Sequence, residues 1–405
     1  MKGMKGAMSM LFNMMRDAVF ATPETYRRRY VTPAKKSFAC IEEAREKTDK
    51  EGELENRLFI SGGKWSPRMR VLCGAIDQQL KAGRAVVVIQ PANMTSDTIG
   101  SQFSFESLSP MDGSYDPFYD YSTDDVVEML IADATAEGFS KAEAADLTQA
   151  LDDEIGYLSA SENELCIGNF VNTSSRKIGE IAFGQGNVQL AESHAQYTIN
   201  ARIDKLRLAL RKRCNFSSVG KSIAASAKPG TMTVLKLPGN SPSWMASVLY
   251  ELNYLQDKGK ADVLPVFLEM HISETCRSML EGLPGGRYFC YQDLPSMGWL
   301  WNVATAASPA GCLLKHIGTS AQIISDCFGK QRVEKVVRTR SSSRSNCDSG
   351  GFMGIFGSTT LSSSHGCTVS YEWEPTIPDD VIRKLDDNEG IFFYQDFNMP
   401  YRIDV

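Results

Sequence analysis

The sequence predicts a three-layer α/β fold with a mainly parallel sheet and an all-helical insertion. Three observations predict it. Short apolar runs alternate with segments that open on helix-starting residues, as helical crossovers between parallel strands require. One run, "RAVVVIQP" (84–91), is apolar without alternation, the pattern of a strand buried on both faces. From 122 to about 226 the pattern turns helical throughout.

Residues 1–54 read as an N-terminal helical or extended segment. Its uncharged stretch, Gly6 to Met15, ends at Arg16 and Asp17, well short of the roughly 20 residues of a membrane span. Asn13 interrupts the apolar core a signal peptide would need, so a methionine-rich docking helix is the expectation.

The first α/β part covers 55–121. A strand at about 57–61 leads through "SGGKWSPRM" (61–69) to a helix beginning at Pro67, a residue suited to a first turn that needs no N–H donor. The strand at 84–91 follows, then an aromatic loop region at 100–121. Tyr115, Phe118, Tyr119 and Tyr121 there are expected to pack in the core rather than stack on bases.

The insertion, 122–226, falls between the second and third strands. "STDDVVEMLIADA" opens on a hydroxyl-plus-acid cap, and "SKAEAADL" opens on a capping box formed by Ser140 and Glu143. "INARIDKLRLALRKRC" sets Ile199, Ile203, Leu206 and Leu210 on one helical face. Its basic run includes Arg207, Arg211 and Arg213, which could touch nucleic-acid phosphates or form a solvated face.

The second α/β part, 227–405, resumes the alternation. Strands are expected at 231–237, 262–270, 287–292, 312–317 and 332–340, with helices between them, Pro242 marking one start and Trp299 and Trp301 packing beside the sheet. The serine- and glycine-rich stretch 341–366 reads as a mobile loop. The basic residues leading into it, Lys330 to Arg344, would line a pore if the chain formed a ring. Terminal strands close the chain.

Net charge is −6 with 23% charged residues, so any nucleic-acid contact must be a local patch. Ten cysteines occur singly and the four histidines do not cluster with them, which argues against zinc and for free thiols in a reducing cytoplasm. No Ser-His-Asp arrangement or paired-carboxylate motif stands out.

Taken in order, "VVVIQP", "YDPFYD" (115–120), the helical block, "LPVFLEM" (264–270), "RYFCYQDLPSMGWL" (287–300), "RTRSSSRSN" (338–346) and "IPDDVIRKLDDNEGIFFYQDFNMPYRI" (377–403) resemble a known series of motifs. The chain is similar, over about 55 to 403, to the coupling proteins of type IV secretion and conjugation, the TraG/TraD branch of the FtsK/HerA-like P-loop ATPases. The resemblance implies a RecA-like P-loop fold.

It also implies where catalysis would sit, and those positions are degenerate. A P-loop needs G-x-x-x-x-G-K-[ST], and the spacing from Gly62 delivers Pro67, Arg68 and Met69. Pro67 lacks an N–H, Arg68 is no substitute for a lysine ammonium, and Met69 has no oxygen for magnesium. A second frame, Gly62-Gly63-Lys64, puts Trp65 where Ser/Thr belongs. The Walker B pair reads Glu269–Met270, the Asp-Pro pair has become Gln90–Pro91, and Gln292 matches a sensor glutamine. Losing two charge-assisted contacts costs roughly 3–6 kcal/mol, two to four decades in affinity.

The resemblance therefore implies a non-hydrolysing scaffold or adaptor in a secretion or conjugative DNA-transfer assembly. It would need no cofactor, sit in the cytoplasm or at the membrane through its partners, and act through protein partners, as a homo-oligomer or within a larger machine, with nucleic acid a weak candidate. An active hexameric motor using ATP and Mg²⁺ to move DNA or protein is the alternative.

Overall fold

The computed structural model describes residues 57–94, 99, 101–160, 165–173, 194–212, 214–215, 220–259, 261–307, 310–346, 359–394 and 401–404. The N-terminal segment lies outside them. Among the described residues, nine strands form the main sheet: β1 (Arg57–Ser61), β2 (Ala85–Pro91), β3 (Phe105–Leu108), β4 (Met232–Leu237), β5 (Val263–Leu268), β6 (Arg287–Tyr291), β7 (Ala310–Leu313), β10 (Glu389–Tyr394) and β11 (Tyr401–Asp404). Their order is β11-β10-β7-β1-β6-β5-β2-β4-β3, parallel from β7 to β3 and antiparallel at β10 and β11.

Alternate residues of each central strand enter different cores, which is why these runs are apolar throughout. Leu58, Ile60, Val86 and Val88 face a core closed by helix α1 (Trp65–Lys81). Phe59, Val87, Ile89 and Phe267 face the opposite core, which holds α8 (Pro242–Asp257), α10 (Trp299–Ala307) and α11 (Gly318–Cys327). Sheet and two helical faces make the three layers.

The insertion is α2 (Thr123–Ala136), α3 (Lys141–Ala145), α4 (Thr148–Ala160), α5 (Ile167–Asn172), α6 (His194–Arg211) and α7 (Ile223–Ser226). Both predicted capping boxes form, at Ser122 and Ser140. Ile203, Leu206 and Leu210 are buried, as are Tyr115, Phe118 and Trp301. The insertion follows the third strand, not the second, because "FESL" pairs with β4 as a short edge strand inside the supposed loop. Its apolar face is continuous with the core under α8, so it is not set apart from the sheet.

Two further expectations are corrected. Helix α1 starts at Trp65, two residues before Pro67, which occupies its first turn. The strand at 332–340 does not join the main sheet. It belongs to β8 (Lys330–Asn346), which pairs along its whole length with β9 (Thr359–Pro375) as a separate antiparallel ribbon. Residues 341–346 and 359–366, read as loop, are therefore strand; backbone pairing needs no apolar pattern. Residues 347–358 lie outside those described.

A buried polar knot ties both ends of the insertion to α8. The Tyr115 hydroxyl donates to Glu251 Oε1 at 2.6 Å, and the Ile223 N–H donates to Oε2 at 2.8 Å. Burial pushes the Glu251 carboxyl up from 4.5 to about 8, against those donors. Buried Asp133, which accepts from the Ser247 hydroxyl, is raised in the same direction. A raised acid is protonated in the fold while the unfolded chain ionises. Stability should therefore fall as pH rises from about 4.5 to about 8, on the order of 1.4 kcal/mol per pH unit for a single such group. Glu251→Gln should flatten that slope in urea titrations across the window. An unchanged slope would mean Glu251 ionises normally.

Candidate functional site

The loop after β1 sits where a nucleotide-binding loop would, between a central strand and the helix that follows it. Gly62 and Gly63 have φ of +93° and +70°, a region that side-chain-bearing residues avoid. A Cβ on Gly62 would lie 2.5 Å from His316 Nε2, so a side chain is excluded there on space as well. The Gly62 and Gly63 amides are bonded within the fold. Gly62 N donates to Tyr291 O at 3.1 Å, and Gly63 N donates to Lys315 O at 2.8 Å, which ties the loop to β6 and to the segment after β7.

The loop interior is filled from within the chain. Arg68, only 2% exposed, turns its guanidinium back from α1 and donates to Gly62 O at 3.1 Å and Gly63 O at 3.0 Å. Its other terminal nitrogen donates to Glu269 Oε1 at 2.7 Å. The same carboxylate oxygen accepts from the Gln292 N–H at 2.7 Å. Glu269 itself has φ +49°, a strained backbone for a non-glycine residue, held between these contacts. Burial raises its carboxyl, opposed by Arg68 and the Gln292 N–H.

Gly62, Gly63, Arg68, Glu269 and the backbone of Gln292 thus converge. The Gln292 side chain is exposed. Met69 and Met270 are buried in opposite cores, and the Met270 carbonyl accepts from the Tyr291 hydroxyl at 2.8 Å. Pro67 is buried in the first turn of α1. Lys64 points away from the loop interior and pairs with Asp387 in an exposed salt bridge. Buried Gln90 donates to Met94 O from Nε2, and its Oε1 has no partner.

Sequence reasoning missed His316 and the Arg68–Glu269 pair. His316 is 3% exposed with Nε2 unpartnered; burial pushes it down to about 4, so it is neutral at neutral pH. In the sequence it lay inside the run read as a strand at 312–317, whereas β7 ends at Leu313.

The candidate nucleic-acid residues are placed differently from one another. Arg207 is 4% exposed, ion-paired with Glu154 and Asp204, and donates to Phe170 O. Arg211 is exposed and donates to Asn172 Oδ1. Arg213 lies outside the described residues. Among the described residues there is no metal-binding cluster, and no helix is long and apolar enough to cross a membrane.

No family model and no curated protein matches the chain in sequence. Solved structures do match it. The bacterial conjugative coupling protein TrwB, in a sulphate complex, superposes with a TM-score of 0.57 at 12% identity, over 87% of this chain and 85% of that one. TrwB with ADP and Mg²⁺ gives 0.58 at 11% identity, over 95% and 91%. VirB4 of Thermoanaerobacter pseudethanolicus gives 0.51 at 11%, over 86% and 89%. At such identities the agreement is one of fold. The chain thus has the RecA-like, mainly parallel α/β fold of the conjugative coupling protein TrwB, the architecture its ordered motifs led us to expect.

Proposed function

We propose that this chain is a coupling-protein-like subunit of a type IV secretion or conjugative transfer assembly, acting as a scaffold or adaptor without hydrolysing nucleotide. One observation carries the catalytic half: Arg68 occupies the loop that would hold phosphates. The residues present do not fit a magnesium nucleotide. The Gly62 and Gly63 amides are spent on backbone carbonyls. The loop presents carbonyls to its own guanidinium, Met69 offers magnesium no oxygen, and Glu269 is already neutralised by Arg68. Admitting a triphosphate would mean breaking three bonds to Arg68 and reversing the loop amides.

The secretion half rests on the shared fold with TrwB and VirB4. In this reading the partners are proteins of that machinery, and the helical insertion offers the contact surface. Nucleic acid is a weaker partner, because Arg207 is locked inside the insertion.

Thermal denaturation tests the catalytic half. A ligand stabilises the fold only when its concentration exceeds its Kd. Millimolar ATP with Mg²⁺ should leave the melting temperature unchanged. A rise of several degrees that requires Mg²⁺ would contradict the reading.

A further inference from the structure

The start of the insertion is acidic and aromatic at once. Residues 120–128, "DYSTDDVVE", hold four acids and no base. Asp124 and Glu128 are exposed on α2, and Tyr121, Tyr250 and Tyr254 are half-buried. Tyr254 meets Tyr121 edge-on at 5.1 Å between ring centroids, and lies nearly parallel to Tyr250 at 6.4 Å. Two of the hydroxyls donate to acids of α2, Tyr250 to Glu128 Oε2 at 2.8 Å and Tyr254 to Asp125 Oδ2 at 3.4 Å. A phenol that donates to a carboxylate gains electron density in its ring, so rings and acids alike attract cations. The patch already holds one cation: Lys258 Nζ sits 5.7 Å from the Tyr254 centroid. Arginine suits such a surface best, because its planar guanidinium stacks on a ring while its N–H groups reach a carboxylate.

A segment with the matching chemistry occurs in the same chain. Residues 26–36, "YRRRYVTPAKK", hold five basic residues, two tyrosines and no acid, in a chain whose net charge is −6. They lie outside the described residues. The chain enters the described fold at Arg57, which pairs with Arg287 at the start of β6. Just before that strand, Gly285 N donates to Gln256 Oε1 at 2.9 Å, and Gln256 Nε2 donates to Val263 O at the start of β5. Gln256 stands close after Tyr254 on α8, so the point of entry and the patch share one end of the sheet. The 20 residues from 37 to 56 can span at most about 65 Å, ample for that separation. A tether of this kind presents the segment at an effective concentration on the order of millimolar, which favours it over a free competitor.

We propose that the basic segment 26–36 straps onto the acid–tyrosine patch of α2 and α8 in its own chain, with arginines of 27–29 on the rings and Lys35 or Lys36 beside the exposed acids. The strap closes part of the surface that the proposed function offers to partners. It depends neither on that function nor on a silent loop, and its failure leaves both untouched.

Zero-length carbodiimide coupling of the full chain, read by peptide mass spectrometry, tests it, because an amine and a carboxylate are joined only where they touch. Lys35 or Lys36 should couple to Asp124 or Glu128 within one chain, with a yield that dilution does not change. Salt near 1 M, where the screening length is about 3 Å, should abolish the coupling. Arg27→Glu, Arg28→Glu and Arg29→Glu together should lower its yield about tenfold, since attraction becomes repulsion while both lysines and both acids remain. The salt measurement needs no variant, so it stands even if a substitution disturbs the fold. Coupling of these lysines only to acids elsewhere, a yield indifferent to salt and to the reversals, or no coupling at all would overturn the proposal. So would coupling that grows with concentration and joins two chains, which would assign the patch to a second copy.

Discussion

Replacing Arg68 with methionine should lower the unfolding free energy by about 3 kcal/mol, the lower end of what breaking a buried ion pair costs. Methionine keeps the apolar stem packed but removes three charged hydrogen bonds at once. It leaves the carbonyls of Gly62 and Gly63 without the guanidinium and the Glu269 carboxylate without its cation. The figure sits at the lower end because the Glu269 side chain is 22% exposed and water relieves part of the loss. Glu269→Gln should cost less, since an amide oxygen still accepts from Arg68 and from the Gln292 N–H. The double variant should then cost clearly less than the sum of the two, as expected of residues in one network. Urea unfolding of the four proteins measures this. Additive effects, or a loss below about 1 kcal/mol for Arg68→Met, would show that the guanidinium does not hold the loop shut.

Arg207→Ala should be at least as damaging, about 4 kcal/mol. Arg207 on α6 reaches Glu154 on α4 and the Phe170 carbonyl on α5, with both ionic side chains only 5% exposed. Burial lowers its guanidinium to about 10, still charged at neutral pH. Truncation leaves Glu154 buried without its cation and opens a cavity over the Phe170 ring. The helical insertion should lose protection before the sheet does, visible in hydrogen exchange of residues 148–172. A variant as stable as the parent, with reduced affinity for DNA, would return Arg207 to the surface role its sequence suggested.

These two residues mark where the sequence is informative and where it stops. The buried strands and the layering were readable because Leu58, Phe59 and Ile60, or Val86 to Ile89, must be apolar at successive positions when both faces are covered; the order of the strands was not. Helix starts were readable because Ser122 and Ser140 bond to residues three positions away. Strand β3 was hidden because four edge residues bury little. The outer ribbon was hidden because its serines contribute backbone pairing, which leaves no apolar period.

The site was half legible. Spacing from Gly62 identified Pro67, Arg68 and Met69 as departures, and the family resemblance placed Glu269 at the Walker B position. What the departure does was not legible. Arg68 read as a failed lysine, whereas it bonds an acid 201 positions away and takes over the loop. Arg207 read as a charge on a basic face because its partners, Glu154 and the Phe170 carbonyl, are set by helix packing, not by local order.

The nucleotide expectation is tested most directly by crystals grown with a non-hydrolysable ATP analogue and Mg²⁺. The account predicts Arg68 on the Gly62 and Gly63 carbonyls and on Glu269, with no phosphate in the loop. A triphosphate cradled by inward-turned loop amides, with Arg68 displaced, would contradict it.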